Sequence, residues 1–322
     1  MGNPLVSIII LNWNSIPFVF ECLESVYNQD YKNIEVIFVD NNSSDTSLSD
    51  CKIKYPSITF VENKENVGFA AGMNSGIPFV KGKYCLFLNT DVYLANNYLT
   101  ETVKLLENNP EVSCTAGYEY KWKYPYFTDK SVGHGSFGIA MHLRIVDTES
   151  KSQYVFGVSG SFPVFRVETI NQIINIRGFF FDEMFGTGWE DTELRFLFIL
   201  LDKKTMLCKN TKAWHIGSAA DNGNIGIFEK NINYQKRIYR NRFYIIEKFI
   251  KGNFRIWPIY LYIMNIAIYL YIYMFKKKSI KALKEAREEF KENRMYVIAQ
   301  RRHIQKYIVC SPSELLKYVV SI

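Results

Sequence analysis

Several places in this chain put acidic or imidazole side chains where an active site would need them. The apolar run "YCLFLNTDVYL", Tyr84 to Leu94, ends its first half on Asn89-Thr90-Asp91, setting a carboxylate where a strand would open onto a loop. A lone aspartate after a strand commonly does no more than form a turn, so Asp91 gains meaning only from partners elsewhere. Two segments supply them. In "FGTGWEDTELRFLF", glycines and Trp189 lead into Glu190-Asp191 at the start of an apolar helix, and in "KAWHIGSA" His215 follows an expected strand from Lys204 to Cys208. A carboxylate and an imidazole suit a divalent cation, and a positioned carboxylate suits general-base work. The plain alternatives stay open: Glu190 and Asp191 favour a helix N-terminus electrostatically, Arg195 can pair with Asp191 one turn on, and His215 can be an ordinary loop residue.

Two further clusters are polar but less specific. "FVDNNSSDTS" offers Asp40 and amides that could read a base or ribose, yet Asp, Asn and Ser are also what such turns select; Asp45 is assigned to capping. "ENVGFAAGMNSGI" spaces Gly68, Gly72 and Gly76 four apart on one side of an expected helix. That spacing fits either close packing on a sheet or a helix start, around Asn66 and Gly68, whose backbone N–H groups face a ligand.

The elements that must position these residues alternate. Apolar runs Val6 to Leu11, Ile34 to Val39, Ile58 to Glu62 and Tyr84 to Leu88 read as strands, and Pro17 to Tyr27, Thr46 to Tyr55 and Phe69 to Val80 as helices between them. This order predicts an open α/β sheet, mostly parallel and covered by helices on both faces, with its ligands beyond the carboxyl ends of the strands. Asn12-Trp13-Asn14, Asp40 to Asp45 and Asn89-Thr90-Asp91 all fall there. The first strand runs into "LNWNSIP", with neither the GxGxxG of a dinucleotide-binding unit nor a glycine-rich basic loop.

At 322 residues and 48% hydrophobic content, the chain has enough material for a full core plus an appendage. The net charge of +7 gathers in the C-terminal third, as in Lys276-Lys277-Lys278, a placement that suits a membrane surface and argues against nucleic acid. The six cysteines show no CxxC pair, which points to reduced thiols and a cytosolic setting. The N-terminus carries no signal-like segment and makes a poor myristoylation site. "YEYKWKYPYF", Tyr118 to Phe127, could stack on sugar rings as a lid or simply pack. "YQKRIYRNRFYIIEKF" is basic and amphipathic, suited to a membrane surface or to packing on the preceding domain. Ile256 to Phe275, 20 residues without a charge, is long enough to span a bilayer. Its five tyrosines, Asn265, Pro258 and basic flanks favour interfacial or re-entrant attachment, and Lys281 to Tyr307 reads as a charged, water-facing helix.

Taken in order, "VSIIILNWN", "FVDNNSSD", "ENVGFAAGMNSGI", "FLNTDV", "GWEDTELRF" and "AWHIGS" resemble a family 2 glycosyltransferase of GT-A fold, in the branch similar to rhamnosyl- and galactofuranosyl-transferases of surface-polysaccharide assembly. The resemblance covers roughly Val6 to Asn241. It implies a GT-A catalytic domain over 1–225 and a C-terminal helical, membrane-associating region over 226–322. It also implies a nucleotide-sugar donor held by Asp40, Asn41, Asn66, Gly68, Asn89, Thr90, Asp91, Trp189 and Glu190. Asp91 and His215 then hold Mg²⁺ or Mn²⁺, and Asp191 is the catalytic base. Asn41 stands where many relatives have an aspartate, and Asn89 replaces the first acid of the DxD motif. Gly157 to Arg166, "GVSGSFPVFR", lies near sugar and acceptor.

The chemistry of such a reaction asks for these groups. Breaking a sugar–phosphate bond leaves charge on the diphosphate that a divalent cation can neutralise, and the acceptor hydroxyl must lose a proton as it attacks. With no second nucleophile, single displacement with inversion is expected. The acceptor is a glycan or lipid-linked glycan, the place the cytoplasmic face of the membrane, and a homo-oligomer is allowed. A non-catalytic sugar-nucleotide-binding scaffold is the rival; a processive synthase would carry QxxRW and several spans.

Overall fold

The structure, a computed structural model, describes residues 2–16, 18–131, 134–138, 143–146, 154–217, 227–251, 257–311 and 319–320. Pro17, expected to open the first helix, and Ile256 lie outside the described residues.

The expected strands form, three of them one residue longer at the C-terminal end and the third in the chain beginning at Thr59 instead of Ile58. β1 (Val6–Asn12), β2 (Ile34–Asp40), β3 (Thr59–Glu62) and β4 (Tyr84–Asn89) pair in parallel, β1 lying between β2 and β4. Ile8, Ile9 and Ile10 are fully buried; a continuous apolar run is what a strand covered on both faces requires. The intervening helices are α1 (Phe18–Tyr27), α2 (Ser47–Lys54) and α3 (Gly68–Gly76), the last ended by a 3₁₀ turn through Phe79. Close approach explains two of the α3 glycines: a Cβ on Gly72 would stand 2.7 Å from Leu11 Cδ1, and one on Gly76 2.8 Å from Ile9 Cγ2.

The sheet continues through β5 (Val92–Leu94), α4 (Tyr98–Asn108), β6 (Val112–Lys123) and β7 (Tyr126–Ser131). A small hairpin, β8 (His134–Gly138) and β9 (Leu143–Val146), precedes β10 (Val164–Arg166), α5 (Val167–Arg177), α6 (Glu190–Leu200) and β11 (Lys204–His215). The strand order is β3-β2-β1-β4-β10-β6-β11-β5, with β7 added on β6. Strand β10 runs antiparallel to both β4 and β6, while β11 runs parallel to β6. This is a mixed α/β sheet with helices on its faces. His215 belongs to the last strand instead of following it, because β11 resumes pairing after an irregularity between Cys208 and Lys212.

The segment Tyr118 to Phe127 is mainly a packed hairpin. Trp122 is buried, stacks on Phe127 and meets Phe18, Tyr93 and Tyr124 edge-on, while Tyr124, Tyr126 and Phe127 are exposed at the tip. The thiols of Cys22, Cys51, Cys85, Cys114 and Cys208 are free and buried.

The C-terminal helices are α7 (Ile232–Ile245), continued by a π-helical turn Ile246–Ile250, then α8 (Trp257–Phe275) and α9 (Ile280–Ile304); β12 (Val319–Val320) pairs with β8. Tyr244, Ile245, Phe249, Val297 and Ile304 are part of the same core as the sheet. Helix α7 therefore packs on the preceding elements, and the membrane-surface expectation for it gives way to the packing one. Helix α9 is water-facing on one side only, since Ala282, Leu283, Ala286 and Val297 are buried. Among the described residues no helix is long and apolar enough to cross a membrane.

An ionic cluster joins the π-helical turn after α7 to α5, α6 and the loop between them. Lys248 Nζ lies 2.8 Å from Asp182 Oδ2 and 2.7 Å from Glu193 Oε1, and Glu193 Oε1 also takes a 2.6 Å bond from Arg177. Burial alone would raise the Asp182 carboxyl, but the Lys248 charge outweighs it and holds it below the usual range. Lys248→Ala is expected to destabilise the fold by about 3–5 kcal/mol, because it leaves buried acids under-compensated. Chemical denaturation measures this, and a loss under about 1 kcal/mol, the worth of a surface pair, would contradict it.

Candidate functional site

The polar strand ends meet as neighbours on the sheet. Register sets Asn12 beside Asp40 and Leu11 beside Asn89, so the C-terminal ends of β2, β1 and β4 open onto one side. At the first of these ends Asp40 is buried and already engaged: its carboxylate accepts from Asn12 Nδ2 (2.7 Å), Ser43 N (2.9 Å) and Ser43 Oγ (2.6 Å). Asp45 stands one residue before Thr46, the N-cap of α2, which makes no side-chain cap bond; Asp45 itself accepts from Ser47 N at 3.1 Å and from Ile16 N at 3.2 Å. Asn41 is also buried. Its Nδ2 reaches Asn66 Oδ1 (3.0 Å) and Gly68 O (3.1 Å), and its Oδ1 accepts from Asn63 Nδ2 (3.1 Å) and Val67 N (3.3 Å).

The start of α3 is committed to the protein. Gly68 N donates to Asn66 Oδ1 at 3.0 Å, Phe69 N to Thr187 Oγ1 at 3.3 Å and Ala70 N to Gly186 O at 2.9 Å. Gly68, at φ +84°, allows the backbone of Gly186 to come close. Of the two readings of the glycine helix, the structure therefore carries packing; these N–H groups do not face an open cradle.

Strand β4 delivers Asn89, Thr90 and Asp91. Asn89 N donates to Ser161 O at 2.9 Å, and Thr90 and Asp91 are buried. Asp91 Oδ2 stands 3.4 Å from His215 Nε2, while His215 Nδ1 stands 2.7 Å from Glu119 Oε1. The Asp91–His215 pairing is the one the motifs anticipate. Glu119, on β6, is not: its run "YEYKWK" looks like an exposed hairpin, and in the sheet, where it pairs with Ala213 of β11, it is half-buried. Burial acts first on all three groups. For the carboxyls it would raise the pKa, but the His215 charge and hydrogen bonds hold Asp91 and Glu119 below the usual range. For His215 it would lower the pKa, and the two carboxylates instead bring it to about 10.

No group of three or more His, Cys, Asp or Glu side chains placed to hold a metal ion occurs among the described residues. The donor chemistry nevertheless fits a cation shared with a ligand's phosphates, since Mg²⁺ commonly takes only one or two protein carboxylates. A ligating histidine usually gives its other nitrogen to a carboxylate, which is the place Glu119 occupies.

The third cluster surrounds α6. Gly186, Gly188 and Trp189 all have positive φ, and at +75° Trp189 is an outlier for a bulky residue. The turn aims Glu190 and Asp191 into the first turn of α6. Asp191 Oδ1 accepts from Thr192 N at 2.6 Å, and Oδ2 from Arg195 Nη2 at 2.6 Å, so the anticipated pairing one turn on is present. A carboxylate has about four lone-pair sites, and these bonds leave capacity for a further donor. Glu190 is buried, and its Oε2 has no hydrogen-bond partner among the described residues. Burial first and the Asp191 charge second push its pKa well above the carboxylate range.

Gly157 to Ser161 ties the clusters together. Ser159 hydrogen-bonds Glu119, Ser161 O accepts from Asn89 N, and Gly160 presses against Asp191. A Cβ on Gly160 would be 2.9 Å from Asp191 Cβ, and one on Gly157 2.1 Å from Arg195 Cδ. Cys114, Val158, Phe181 and Leu194 line a cavity with Gly157, Gly160 and Asp191.

The family described as glycosyl transferase family 2 matches residues 7–173. An uncharacterised glycosyltransferase of Haemophilus influenzae is 30% identical over 118 residues, 36% of this chain and 36% of that protein. The UDP-Glc:alpha-D-GlcNAc-diphosphoundecaprenol beta-1,3-glucosyltransferase WfaP of Escherichia coli is 34% identical over 104 residues, 32% of this chain and 41% of that protein. The first curated relatives are thus matched over 17% to 37% of their own length. Among solved structures, GalNAc-T7 with UDP, GalNAc and Mn²⁺ has a TM-score of 0.63 at 14% identity, covering 91% of this chain and 57% of that one. A mannosyltransferase of Pyrobaculum calidifontis with GDP-Man and Mn²⁺ has a TM-score of 0.56 at 15% identity, covering 95% and 86%. These likenesses establish a GT-A fold.

Gly160→Ala tests the packing of Asp191. The added methyl displaces the Asp191 side chain, and a misplacement of about 1 Å at a reacting group can cost roughly 10²-fold in rate. Turnover should fall by about that factor while nucleotide affinity stays constant; unchanged turnover in a folded variant would show that Asp191 needs no such support.

Proposed function

The chain belongs to glycosyl transferase family 2, and from that premise we propose that it is an inverting, metal-dependent glycosyltransferase. It moves one sugar from a dTDP- or UDP-sugar, rhamnose-like by the resemblance of its motifs, to a lipid-linked or surface glycan at the cytoplasmic face of a membrane. The observation that carries this reading is that Asp91, His215 and Asp191, far apart in sequence, are linked through one loop, Gly157 to Ser161, at the open ends of the sheet. The Escherichia coli relative, named for its diphosphoundecaprenol acceptor, supports a lipid-linked acceptor.

Asp91 and His215 would hold Mg²⁺ or Mn²⁺, with Glu119 fixing the imidazole ring so that Nε2 faces Asp91. Such an ion, when bound, neutralises the charge that develops on the diphosphate. Asp40, Asn41 and Asn66 shape the base and ribose end, and Asn89 and Thr90 line the path to Asp91. Glu190, kept neutral by burial, can donate a hydrogen bond to a donor hydroxyl beside Trp189. Asp191 takes the proton from the acceptor hydroxyl as its oxygen attacks the anomeric carbon; the C–O bond to the diphosphate breaks and the anomeric centre inverts. Arg195 and the Thr192 N–H orient the Asp191 carboxylate throughout.

Purified protein with a panel of UDP-, dTDP- and GDP-sugars and a membrane lipid extract should release nucleoside diphosphate with one donor. Chelation by EDTA should stop the release, and Mn²⁺ or Mg²⁺ should restore it. Release that survives chelation would remove the metal from the mechanism, and silence with every donor plus native acceptor would favour a binding subunit.

Asp191→Asn should lower turnover by roughly 10²–10⁴-fold, the usual worth of general-base help, with nucleotide affinity by calorimetry unchanged. Near-parental turnover would transfer the base role elsewhere.

Glu119→Gln should weaken Mn²⁺ affinity, followed by electron paramagnetic resonance, by about 10–100-fold. A folded variant that binds Mn²⁺ as tightly as the parent would reduce Glu119 to packing.

A further inference from the structure

Helix α8 is built unlike any other described helix of this chain. Ile268, Tyr269 and Ile272 pack against a small cluster with Tyr239, Phe243, Leu283 and Ala286. The opposite side carries Ile259, Ile263, Ile266, Leu270 and Met274, spaced four, three, four and four residues apart, all between 43% and 61% exposed. That spacing makes one continuous aliphatic stripe along the helix. Tyr262, Tyr271 and Tyr273 flank it and are exposed too. Soluble surfaces seldom leave a patch of this kind bare.

Charge identifies what covers the stripe. No Asp or Glu occurs between Glu247 and Glu285, and Lys277, Lys278, Lys281 and Lys284 are exposed just beyond the C-terminal end of α8; of these, Lys281 has an acid, Glu285, at 3.8 Å. An aliphatic stripe, amphipathic tyrosines at its edges and lysines at one end match the acyl, interfacial and anionic headgroup levels of a bilayer. One side of the helix is already committed to α7 and α9, which leaves a single side for lipid and disfavours a span.

We propose that α8 lies flat in the interface of an anionic bilayer, its aliphatic stripe among the acyl chains and its lysine end on lipid phosphates. An interfacial helix of this type sits about 5–10 Å into the headgroup and acyl boundary. The docking has a consequence for the site. Arg242 of α7 bonds Asn265 of α8, and the next residue back, Asn241, donates to Gly188 O at 2.6 Å and Phe185 O at 2.8 Å. The membrane plane is thereby tied to the turn that presents Asp191, so an acceptor carried in that membrane meets the site at a fixed distance from the bilayer. This last step rests on the lipid-linked acceptor reading; the docking does not.

The test uses the full chain and vesicles, without donor or acceptor. Co-sedimentation is expected with vesicles of phosphatidylcholine and phosphatidylglycerol and not with phosphatidylcholine alone. Leu270→Glu should lower the partition by more than about ten-fold, and Lys277→Gln and Lys278→Gln by about five-fold for each charge. In Ile266→Trp, fluorescence should be quenched most by bromines near the headgroup. Quenching strongest near the acyl ends would indicate a span and overturn the proposal. So would parental vesicle binding by Leu270→Glu, or a concentration-dependent dimer that Leu270→Glu abolishes without any vesicle binding. Thermal melting shows that each variant is folded. Because vesicle binding is scored without sugar transfer, failure of the transferase reading leaves this result standing, and a protein that turns over donor but ignores vesicles refutes the docking alone.

Discussion

The amide of Asn241 holds the structure's most demanding backbone. Its Nδ2 bonds the carbonyls of Phe185 and Gly188 at 2.8 and 2.6 Å, on either side of a turn in which Gly186, Gly188 and Trp189 have positive φ. A bulky residue in that region costs about 1–3 kcal/mol, while a buried hydrogen bond contributes about 0.5–1.5 kcal/mol net. Two such bonds offset the strain, and Arg240 adds a third and fourth to the carbonyls of Met184 and Phe185. The same turn receives the first N–H groups of α3 through Gly186 and Thr187. Helices α3, α6 and α7 thus meet at one strained point, and the direction of Asp191 follows from it.

This also explains why α7 shares the core of the sheet. A basic amphipathic stretch gives the same pattern whether its arginines face phosphates or protein carbonyls. Which applies here depends on carbonyls freed by a turn about fifty residues earlier, as the Asn241–Gly188 separation of 53 shows. Periodicity describes a helix's own faces and is silent about such distant acceptors. For α8 the legible signal was composition, 20 residues from Ile256 to Phe275 without a charge.

What the sequence made legible is correspondingly local. Strands β1, β2 and β4 were readable because buried parallel strands are continuous apolar runs, and Asp40 and Asp91 because polar residues abruptly end those runs. His215 was found by its surroundings, although its strand is longer than a reading to Cys208 allows. Glu119 was hidden. It alternates with Tyr118 and Tyr120 in a strand that looks half exposed, and its place beside His215 comes with the register Glu119↔Ala213, reached after the irregularity between Cys208 and Lys212. A carboxylate in an aromatic strand, in a chain with one well-framed histidine, was the available signal.

Glu119 bears on how the two halves of the proposed displacement stay aligned. One of its contacts fixes His215, on the side where a leaving diphosphate would be held, and another reaches Ser159. Ser159 neighbours Gly160, which touches Asp191 on the side where an acceptor would be deprotonated. His215 and Asp191 are thus referred to one half-buried carboxylate and one short loop. Preorganisation of this kind lowers the cost of bringing reacting groups into line. It also gives a physical reason for glycine at both 157 and 160: any side chain there would meet Arg195 or Asp191 at 2.1 and 2.9 Å, and relieving either clash would move Asp191 relative to His215.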